Sequence, residues 1–391
     1  MFRGHPDHSL SVRILHVIES MGMGGAERHL SNLLEPLQRL GVENHVATLW
    51  PGAAYAERVA PFAKVHAFEL PNRRVAPALP GLMRLARQVD VVHTQLPWAD
   101  IAGRLGALAA GRPSVTTLQS TWYARNNTSS FEPALRRRVG LVRRLDAWTA
   151  RRTRRFFAVS EATKRTYVDE LSLPPERLEV IPNSVDLASF DPSRLPSRQE
   201  TRRALGFGAD EFAVLMLARL VQPKGHVEAI RAVTQIRERP IRLYIAGTGP
   251  EEQSLRALAA ELRAPVTFLG AFSDAPSLLH AADLFLFPSM YEGLPLALIE
   301  AMAMERACLC SDIPENRETA GDSVIYTPPG DVDALVRELR VLVMNEPLRA
   351  RLSAGTRERV QRFSSVRIAA QLLAAIEGVL RRERDGHVVA P

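Results

Sequence analysis

The chain alternates short apolar runs with longer amphipathic segments, and it begins this alternation twice. Short apolar runs bounded by Gly, Pro or charge are typical of buried strands, and strands that alternate with helices predict a parallel, doubly wound sheet. The predicted strands of the first half are Val12–Glu19, Asn44–Leu49, Val65–Leu70, Val89–His93, Ser114–Leu118, Arg155–Val159 and Leu178–Ile181. Those of the second half are Phe212–Ala218, Ile241–Ala246, Val266–Leu269, Asp283–Phe287, Ala307–Ser311 and Val324–Thr327. The chain is therefore predicted to be an α/β protein with two Rossmann-like domains.

The domain limits follow from the same pattern. At 391 residues the chain is long enough for two domains, and an irregular, proline-containing stretch at Pro182–Pro196 separates the two alternations. We predict an N-terminal domain at 1–185, a C-terminal domain at 186–365 and a C-terminal helix and tail at 366–391. Two such domains in tandem predict a cleft between them, and the last helix is predicted to cross back and brace both.

The composition is that of an ordinary globular protein, with 46% hydrophobic and 24% charged residues. Its apolar runs are broken well before the roughly 20 residues that a membrane helix needs. Because the first residues lack the apolar core of a secretory signal, we expect a cytoplasmic protein. The two cysteines, Cys308 and Cys310, are expected to be buried strand residues.

The net charge of +7 is concentrated in one segment. Nine arginines and one acid, Asp146, lie between Arg136 and Arg155, with apolar residues at helical spacing. A basic amphipathic helix can be a solvated surface helix, or it can attach to an anionic membrane surface such as the inner membrane face, and the sequence leaves both open. A global positive charge alone does not predict a nucleic-acid partner, and we expect none.

The segment Phe287–Met302 carries two carboxylates around a predicted strand-to-helix turn. Glu292 follows the strand, at the end where open α/β sheets bind ligands, and Glu300 lies within the helix. Pro295 is expected just inside the helix start, and the backbone N–H groups near Leu296 are expected to be free for a phosphate. The pattern favours a hydroxyl-rich ligand that bears phosphate.

Two cations follow another predicted strand end. Arg219 comes directly after Phe212–Ala218, and Lys224 lies five residues further on, before Gly225. Lys224 is one of only three lysines among 50 basic residues, which indicates a place where a compact charge is required. Two cations at the ligand end of a strand can stabilise a departing diphosphate.

Other motifs indicate what the chain lacks. The glycines of the segment 22–27 do not form a dinucleotide fingerprint, because Glu27 stands where its third glycine is needed. Asp331 and Asp333 resemble a metal-binding pair, but they begin a predicted helix, so Asp331 is expected to be its N-cap. We predict no essential metal, no other cofactor and no hydrolase triad.

Taken together, these motifs resemble family 4 of the retaining GT-B glycosyltransferases. In the second half the similar segments are Ala218–Leu220, Lys224–Gly225, Ala246–Pro250, Phe268–Gly270 and Pro288–Met302. In the first half they are Gly24–Glu27, Val92–Thr94, Ala158–Glu161 and Ile181–Asp186. The resemblance covers nearly the whole chain, and it implies that the N-terminal domain binds an acceptor and the C-terminal domain a nucleotide-diphosphate sugar, with UDP as the expected nucleotide.

The resemblance also implies roles for single residues. Arg219 and Lys224 would hold the diphosphate, Glu292 a hydroxyl of the donor sugar and Glu300 the ribose. The other residues expected to bind the donor are Gly24, Gly25, Gly270, Gly293, Leu294 and Leu296. The residues expected on the acceptor side are His93, Gln119, Trp122, Tyr123, Arg125 and Asn126. A structural histidine is the alternative interpretation of His93.

The chain also departs from the family pattern. Gln119 stands where many relatives have a histidine near the reacting centre, and an amide cannot act as a general base. The expected function is sugar transfer, with retention and without a metal, to a hydroxyl of a glycan, a lipid-linked molecule or a small molecule. The alternatives are a nucleotide-sugar-binding protein without transfer activity and a sugar-nucleotide epimerase of the same fold.

Overall fold

The computed structural model describes residues 11–22, 24–52, 54–71, 74–119 and 133–386. The chain divides into two compact units. Unit 1 comprises residues up to Ser184 together with those from Ser365 onward, and unit 2 comprises Val185–Ser364. The last helix is thus counted with the first sheet.

Unit 1 is built on a seven-stranded sheet in which every neighbouring pair is parallel. Its strands are β1 (Arg13–Ile18), β2 (Glu43–Thr48), β3 (Lys64–Ala67), β4 (Val91–Gln95), β5 (Ser114–Leu118), β6 (Arg155–Ala158) and β7 (Leu178–Val180). Their order is β3-β2-β1-β4-β5-β6-β7. The connection reverses direction between β1 and β4, and open sheets of this kind bind ligands beyond the strand ends at such a point.

Helices cover both faces of this sheet. Those of unit 1 are α1 (Gly25–Arg39), α2 (Ala56–Val59), α3 (Leu79–Ala86), α4 (Pro97–Ala109), α5 (Pro133–Ala150), α6 (Glu161–Leu171) and α16 (Ser365–Arg384). Leu33 and Leu37 of α1 share an apolar cluster with Ile368 and Leu372 of α16. Burial of these three leucines and one isoleucine explains why the last helix folds onto unit 1.

Unit 2 has a six-stranded parallel sheet of order β10-β9-β8-β11-β12-β13. Its strands are β8 (Phe212–Leu217), β9 (Ile241–Ala246), β10 (Val266–Gly270), β11 (Leu284–Phe287), β12 (Cys308–Ser311) and β13 (Ile325–Thr327). Its helices are α7 (Arg198–Ala204), α8 (His226–Val233), α9 (Glu252–Glu261), α10 (Ala275–Ala281), α11 (Leu296–Ala303), α12 (Pro314–Ala320), α13 (Val332–Met344), α14 (Glu346–Ser353) and α15 (Thr356–Val360). This sheet also reverses its order at one place, between β8 and β11.

These two parallel sheets confirm the predicted fold class. The predicted N-cap is also confirmed, because the Ala334 N–H donates to Asp331 Oδ1 at 2.8 Å. Cys308 and Cys310 are buried in β12, as expected. No helix within the described ranges has both the length and the apolar character needed to cross a membrane.

Asp146, the single acid of the basic segment, does not lie on a solvated face of α5. It is fully buried and pairs with Arg104 of α4, which is also buried. Arg104 donates from Nε to Thr116 Oγ1 at 3.0 Å, and its guanidinium lies 4.0 Å from the carboxylate of Asp100. Burial raises the pKa of Asp100 well above its usual value. The ion cluster therefore joins α5 to α4 and to β5.

Candidate functional site

The candidate site of unit 2 lies where the sheet reverses its strand order. Strand β8 lies between β9 and β11, and the chain leaves β8 toward β9 and returns later as β11. Loops that leave neighbouring strands in opposite directions open a crevice beyond their carboxyl ends. The loop after β8 carries Arg219 and Lys224, and the loop after β11 carries Glu292. The residues predicted to bind the diphosphate and the sugar thus follow the two strands that flank the reversal.

Lys224 and Glu292 contact each other directly. Lys224 Nζ donates to Glu292 Oε1 at 2.6 Å, and the two side chains are 23% and 9% exposed. The backbones of the two loops are also joined, since the Met290 N–H donates to the Pro223 carbonyl at 2.8 Å. The pair holds the ammonium group at the mouth of the crevice, where an anionic ligand can compete with the carboxylate for it.

Two glycines allow these loops to approach closely. Gly225 has φ +71°, and a Cβ there would lie 2.2 Å from the Pro288 carbonyl oxygen. Gly247 follows β9 with φ +147°, and its Cβ would lie 1.9 Å from the Ala218 carbonyl oxygen. No side chain fits at either position, so both glycines are needed to place Arg219 and Lys224.

Arg219 is the second cation of the site. It is exposed, and its guanidinium has no hydrogen bond or ion pair with another described residue. The backbone that carries it is held firmly, because the Leu220 N–H donates to the Thr248 carbonyl at 3.0 Å. An immobile backbone that presents an uncompensated cation is suited to bind an anion.

Helix α11 begins at Leu296, one residue later than predicted, with Pro295 as its N-cap. The expectation of a free Leu296 N–H is wrong, because this group donates to the Leu294 carbonyl at 2.9 Å. The next N–H group, of Ala297, has no acceptor among the described residues. The positive end of α11 is therefore available to an anion through Ala297 rather than Leu296.

The remaining donor-side candidates of unit 2 lie around this crevice. Glu300 is buried in α11, at 1% exposure, while Leu294 is buried and Gly293 half-buried in the loop before it. Gly270 ends β10 with φ +71°, and its carbonyl accepts from the Gly247 N–H at 2.7 Å. Gly270 thus supports the glycine loop that in turn holds the backbone of Arg219.

Two further residues of this region were not predicted from the sequence. Ser289 is fully buried two residues after the end of β11, and its hydroxyl has no hydrogen-bond partner among the described residues. His226 is 2% exposed at the start of α8. Burial, helped by the charge of Lys224, lowers the pKa of His226 to about 4, so the imidazole is neutral at pH 7. Both residues stand out only because they are polar and buried beside a strand end, and the sequence pattern does not show which polar residues are buried.

In unit 1, the glycine turn after β1 leads directly into α1. Gly24 is the N-cap of α1 and Gly25 is its first residue. Gly24 is extended, and a Cβ there would lie 2.2 Å from the Glu27 carboxylate, which is the end of a flexible side chain. The turn therefore places a helix N-terminus at the carboxyl edge of the first sheet. Gly24 and Gly25 belong to unit 1, whereas the other donor-side candidates belong to unit 2.

His93 lies inside the first sheet and takes part in a chain of hydrogen bonds. It lies opposite His16 of β1, with 3.0 Å between the two Nδ1 atoms. His16 Nε2 bonds Asn44 Oδ1 at 3.3 Å, and His93 Nε2 bonds Thr117 Oγ1 at 2.7 Å. The amide group of Asn44 donates to the Leu34 and Phe62 carbonyls, so its oxygen must be the acceptor.

This arrangement determines the tautomers. His16 carries its proton on Nε2, so its Nδ1 accepts from His93 Nδ1–H, and Thr117 donates to His93 Nε2. Burial lowers the pKa of His16 to about 4 and that of His93 well below its usual value. Because His93 is fully buried and both its nitrogens are satisfied, the geometry favours the structural interpretation over contact with an acceptor.

Gln119 belongs to a cluster of amides at the carboxyl edge of the first sheet. Its Nε2 donates to Gln95 Oε1 at 2.7 Å, and Asn183 Nδ2 donates to its Oε1 at 2.8 Å. Gln95 Nε2 and Asn183 Oδ1, at the two ends of this cluster, are buried and have no hydrogen-bond partner within the part of the chain that the structure describes. The four other residues expected on the acceptor side lie outside the described residues: Trp122, Tyr123, Arg125 and Asn126.

Comparison with protein families gives two matches in succession. Residues 23–189 match the model of Glycosyltransferase Family 4, and residues 197–359 match that of Glycosyl transferases group 1. The chain is 31% identical over 235 residues to a UDP-Gal:alpha-D-GlcNAc-diphosphoundecaprenol alpha-1,3-galactosyltransferase of Escherichia coli, a match that covers 58% of this chain and 59% of that protein. It is 28% identical over 302 residues to a phosphatidyl-myo-inositol mannosyltransferase of Mycolicibacterium smegmatis, covering 74% and 71% of the two chains.

Solved structures share the fold over nearly the whole chain. HepE from Anabaena, in complex with UDP and glucose, has a TM-score of 0.81 at 22% identity and covers 94% of this chain and 100% of its own. Sucrose-phosphate synthase from Thermosynechococcus elongatus has a TM-score of 0.80 at 19% identity, covering 95% and 99%. Since the two family models match successive halves and both sheets follow this fold, the chain belongs to the group 1 and Family 4 glycosyltransferases, with a GT-B fold.

Proposed function

We propose that this glycosyltransferase uses a UDP-sugar, keeps the anomeric configuration of the sugar and needs no metal ion. The acceptor is a hydroxyl group of a glycan, a lipid-linked molecule or a small molecule. The observation that carries the proposal is the Lys224–Glu292 pair across the strand reversal of unit 2. UDP is favoured because HepE has been solved with UDP and the Escherichia coli relative is named for UDP-Gal.

In this mechanism the diphosphate displaces Glu292 from Lys224. Arg219 and Lys224 then neutralise the charge that grows as the bond between the sugar C1 and the phosphate oxygen breaks. Glu292 is left to accept a hydrogen bond from a sugar hydroxyl, and Glu300 anchors the ribose. Two positive side chains and a helix N-terminus provide the charge that a metal ion would otherwise supply, which supports the metal-independent proposal.

The acceptor proton needs a destination, and Gln119 cannot take it. We assign that role to the departing diphosphate: the acceptor oxygen bonds to C1, the C1–phosphate bond breaks, and the proton moves to the phosphate oxygen that leaves. This order of bond changes places the new bond on the face of the sugar from which the diphosphate departs. It accounts for retention without a general base from the enzyme.

The first test is the choice of donor. Thermal unfolding is followed with UDP-, GDP-, ADP- and dTDP-glucose, and UDP-glucose is expected to raise the melting temperature most. A larger rise with another nucleotide would disprove the assignment of UDP.

The second test is the reaction itself. UDP release is measured with donor alone and with a panel of monosaccharide and alkyl-glycoside acceptors, before and after EDTA, and the anomeric configuration of the product is read by NMR. We expect acceptor-dependent release, an α product from an α donor and no effect of EDTA. Tight UDP-sugar binding without release would instead indicate a binding protein, and donor conversion without any acceptor would indicate an epimerase.

A further inference from the structure

Helix α5 exposes an apolar stripe instead of burying it. Leu141, Leu145 and Trp148 are 60%, 40% and 57% exposed, and their spacing of four and three residues places them on one side of the helix. Val139 and Val142, on the other side, are both buried. Single exposed apolar side chains are common, but three aligned on one helix form a patch of the kind that contacts another apolar phase.

The stripe leads to two adjoining cavities at the end of α5. The larger, about 790 Å³, has Trp148 in its wall together with the apolar side chains of Leu105, Leu108, Leu171 and Leu173. The smaller, about 230 Å³, is lined mostly by arginines. Leu108, which lines both cavities, is itself exposed, so the apolar surface continues from the stripe into the cavities.

The charge at the smaller cavity is not balanced. Four of its arginines have no carboxylate within ion-pair distance among the described residues: Arg112, Arg151, Arg152 and Arg177. Arg154 is compensated, because its Nε lies 2.7 Å from Glu383 Oε1. Four uncompensated guanidinium groups around one cavity repel each other, and a phosphate group would remove that repulsion. We call these four residues the arginine pocket.

The position of the arginine pocket separates it from the proposed reaction. Arg112, Arg152 and Arg177 each come shortly before a strand of the first sheet, whereas Gln119 follows one. In a parallel sheet, residues before the strands and residues after them lie at opposite edges. A ligand in the arginine pocket therefore occupies the edge of unit 1 away from Gly24, Gln95 and Gln119.

We propose that the apolar stripe and the arginine pocket dock unit 1 on an anionic phospholipid bilayer, with a lipid phosphate in the pocket and hydrocarbon against the stripe and the larger cavity. A bilayer is favoured over a nucleic acid because Leu141 and Leu145 would have no apolar partner on a phosphate backbone. Tryptophan is also a side chain that prefers the membrane interface. The proposal does not depend on transfer activity, since none of these residues belongs to the proposed donor site.

The test is co-sedimentation of the full chain with vesicles of phosphatidylglycerol and phosphatidylcholine in equal parts, and with vesicles of phosphatidylcholine alone. We expect binding to the mixed vesicles only, weakened by high salt. Replacing Arg151 and Arg152 by Glu together should weaken binding by roughly tenfold or more. Replacing Leu145 and Trp148 by Ser together should weaken it several-fold, and brominated lipid should quench the fluorescence of the native chain more than that of Trp148→Ser.

Matched controls come from unit 2. Val341 and Met344 of α13 are 45% and 59% exposed, and their replacement by Ser should leave vesicle binding unchanged. The exposed Arg231 and Arg337, replaced by Glu, provide the charge control. Circular dichroism melting of each variant shows that it is folded.

Other results would overturn the proposal. Equal binding to phosphatidylcholine vesicles would show that the surface does not select anionic lipid. An equal loss of vesicle binding in the unit 2 control variants would show that the stripe and the arginine pocket are not the docking site. If inorganic phosphate displaced the protein from mixed vesicles and the Leu145 and Trp148 variant bound normally, the pocket would serve a free phosphate instead of a lipid. Tighter binding to single-stranded RNA than to the mixed vesicles would identify a nucleic-acid surface.

Discussion

Lys224 and Arg219 are separated by only five residues, but their surroundings differ. Lys224 is held by Glu292, whereas Arg219 is exposed without a described partner. Both were predicted from the sequence because they follow a predicted strand. Lys224 was also distinctive because the chain has few lysines. The contact between Lys224 and Glu292 could not be predicted, since 68 residues separate them and only the pairing of strands β8 and β11 joins their loops.

The first prediction concerns this ion pair. Lys224→Ala should lower kcat/KM for the UDP-sugar by about 10²- to 10³-fold, because a charge that stabilises the departing diphosphate is removed. Steady-state kinetics of UDP release measures the effect. Lys64→Ala is the matched control: Lys64 Nζ lies 2.7 Å from Glu43 Oε1 in an exposed pair of unit 1, and its loss should leave the rate unchanged. Full activity of Lys224→Ala would disprove the assigned role.

The second prediction concerns Gly247. Alanine there would place its Cβ 1.9 Å from a carbonyl oxygen at a φ of +147°, so we expect a loss of at least about 2 kcal/mol of unfolding free energy. Gly378 in α16 is the contrast, because a Cβ there meets no atom of the described residues within 4 Å. Gly378→Ala should stabilise the chain by about 0.5 to 1 kcal/mol. Urea unfolding compares the two, and an unchanged midpoint for Gly247→Ala would contradict the geometry.

At the scale of elements, the strands were easier to predict than the helices. All thirteen strands of the described residues lie at predicted places, because a parallel strand covered on both faces is a short apolar run between polar loops. Five helices of the described residues were not predicted: α2, α7, α12, α14 and α15. They have four to eight residues, which is too short to establish a helical period in the sequence.

Helix α5 was predicted, but the direction of its faces was not. If α5 were only a solvated surface helix, its apolar residues would all face the core; Val139 and Val142 do so, whereas Leu145 and Trp148 are exposed. Asp146, which lies between them, is buried instead, because Arg104 of another helix provides its partner. A helical pattern shows which residues share a face, but an ion pair across two helices can turn that face outward.

The third prediction tests this anchor. Asp146→Ala leaves the buried Arg104 guanidinium without its closest carboxylate, and should cost about 3 to 5 kcal/mol of unfolding free energy. Asp169 of α6 is exposed, and Asp169→Ala should change the stability by less than about 0.5 kcal/mol. Urea unfolding followed by tryptophan fluorescence measures both. Equal stabilities would show that the cluster does not hold α5.

At the scale of the whole molecule, the two units differ in the number of buried histidines whose pKa is lowered. His16, His29 and His93 lie in unit 1, and His226 lies in unit 2. Burial lowers the pKa of His29 to about 3, and its Nδ1 accepts from the Ser184 N–H at 2.9 Å, which requires the neutral ring. Each of these histidines binds a proton more readily in the unfolded chain than in the folded one.

The fourth prediction follows from this difference. A histidine whose folded pKa is depressed contributes stability that is present above pH 6.5, its value when unfolded, and is lost as the pH falls toward about 4 for His16 and about 3 for His29. The loss is on the order of 1.4 kcal/mol per pH unit for each histidine. Unit 1, which has three of these residues, should therefore unfold before unit 2 on acidification.

The four tryptophans, at positions 50, 98, 122 and 148, all lie in unit 1, so their fluorescence follows that unit alone. The circular dichroism signal follows the unfolding of both units. His29→Asn keeps an acceptor for Ser184 but cannot titrate, so it should reduce the pH dependence by one proton. Simultaneous loss of both signals on acidification, or an unchanged pH dependence in His29→Asn, would contradict the assignment.

The amino-acid sequence by itself determined the two alternations of strand and helix, the sites of Arg219, Lys224 and Glu292 after strands, and the N-cap at Asp331. Such features depend on neighbours in the chain, where periodicity and turn chemistry act. Only the tertiary structure decided that Lys224 meets Glu292, that His93 is enclosed by His16 and Thr117, and that α5 turns Trp148 outward. These depend on contacts between residues far apart in the chain, which sheet order and burial bring together and which no local pattern encodes.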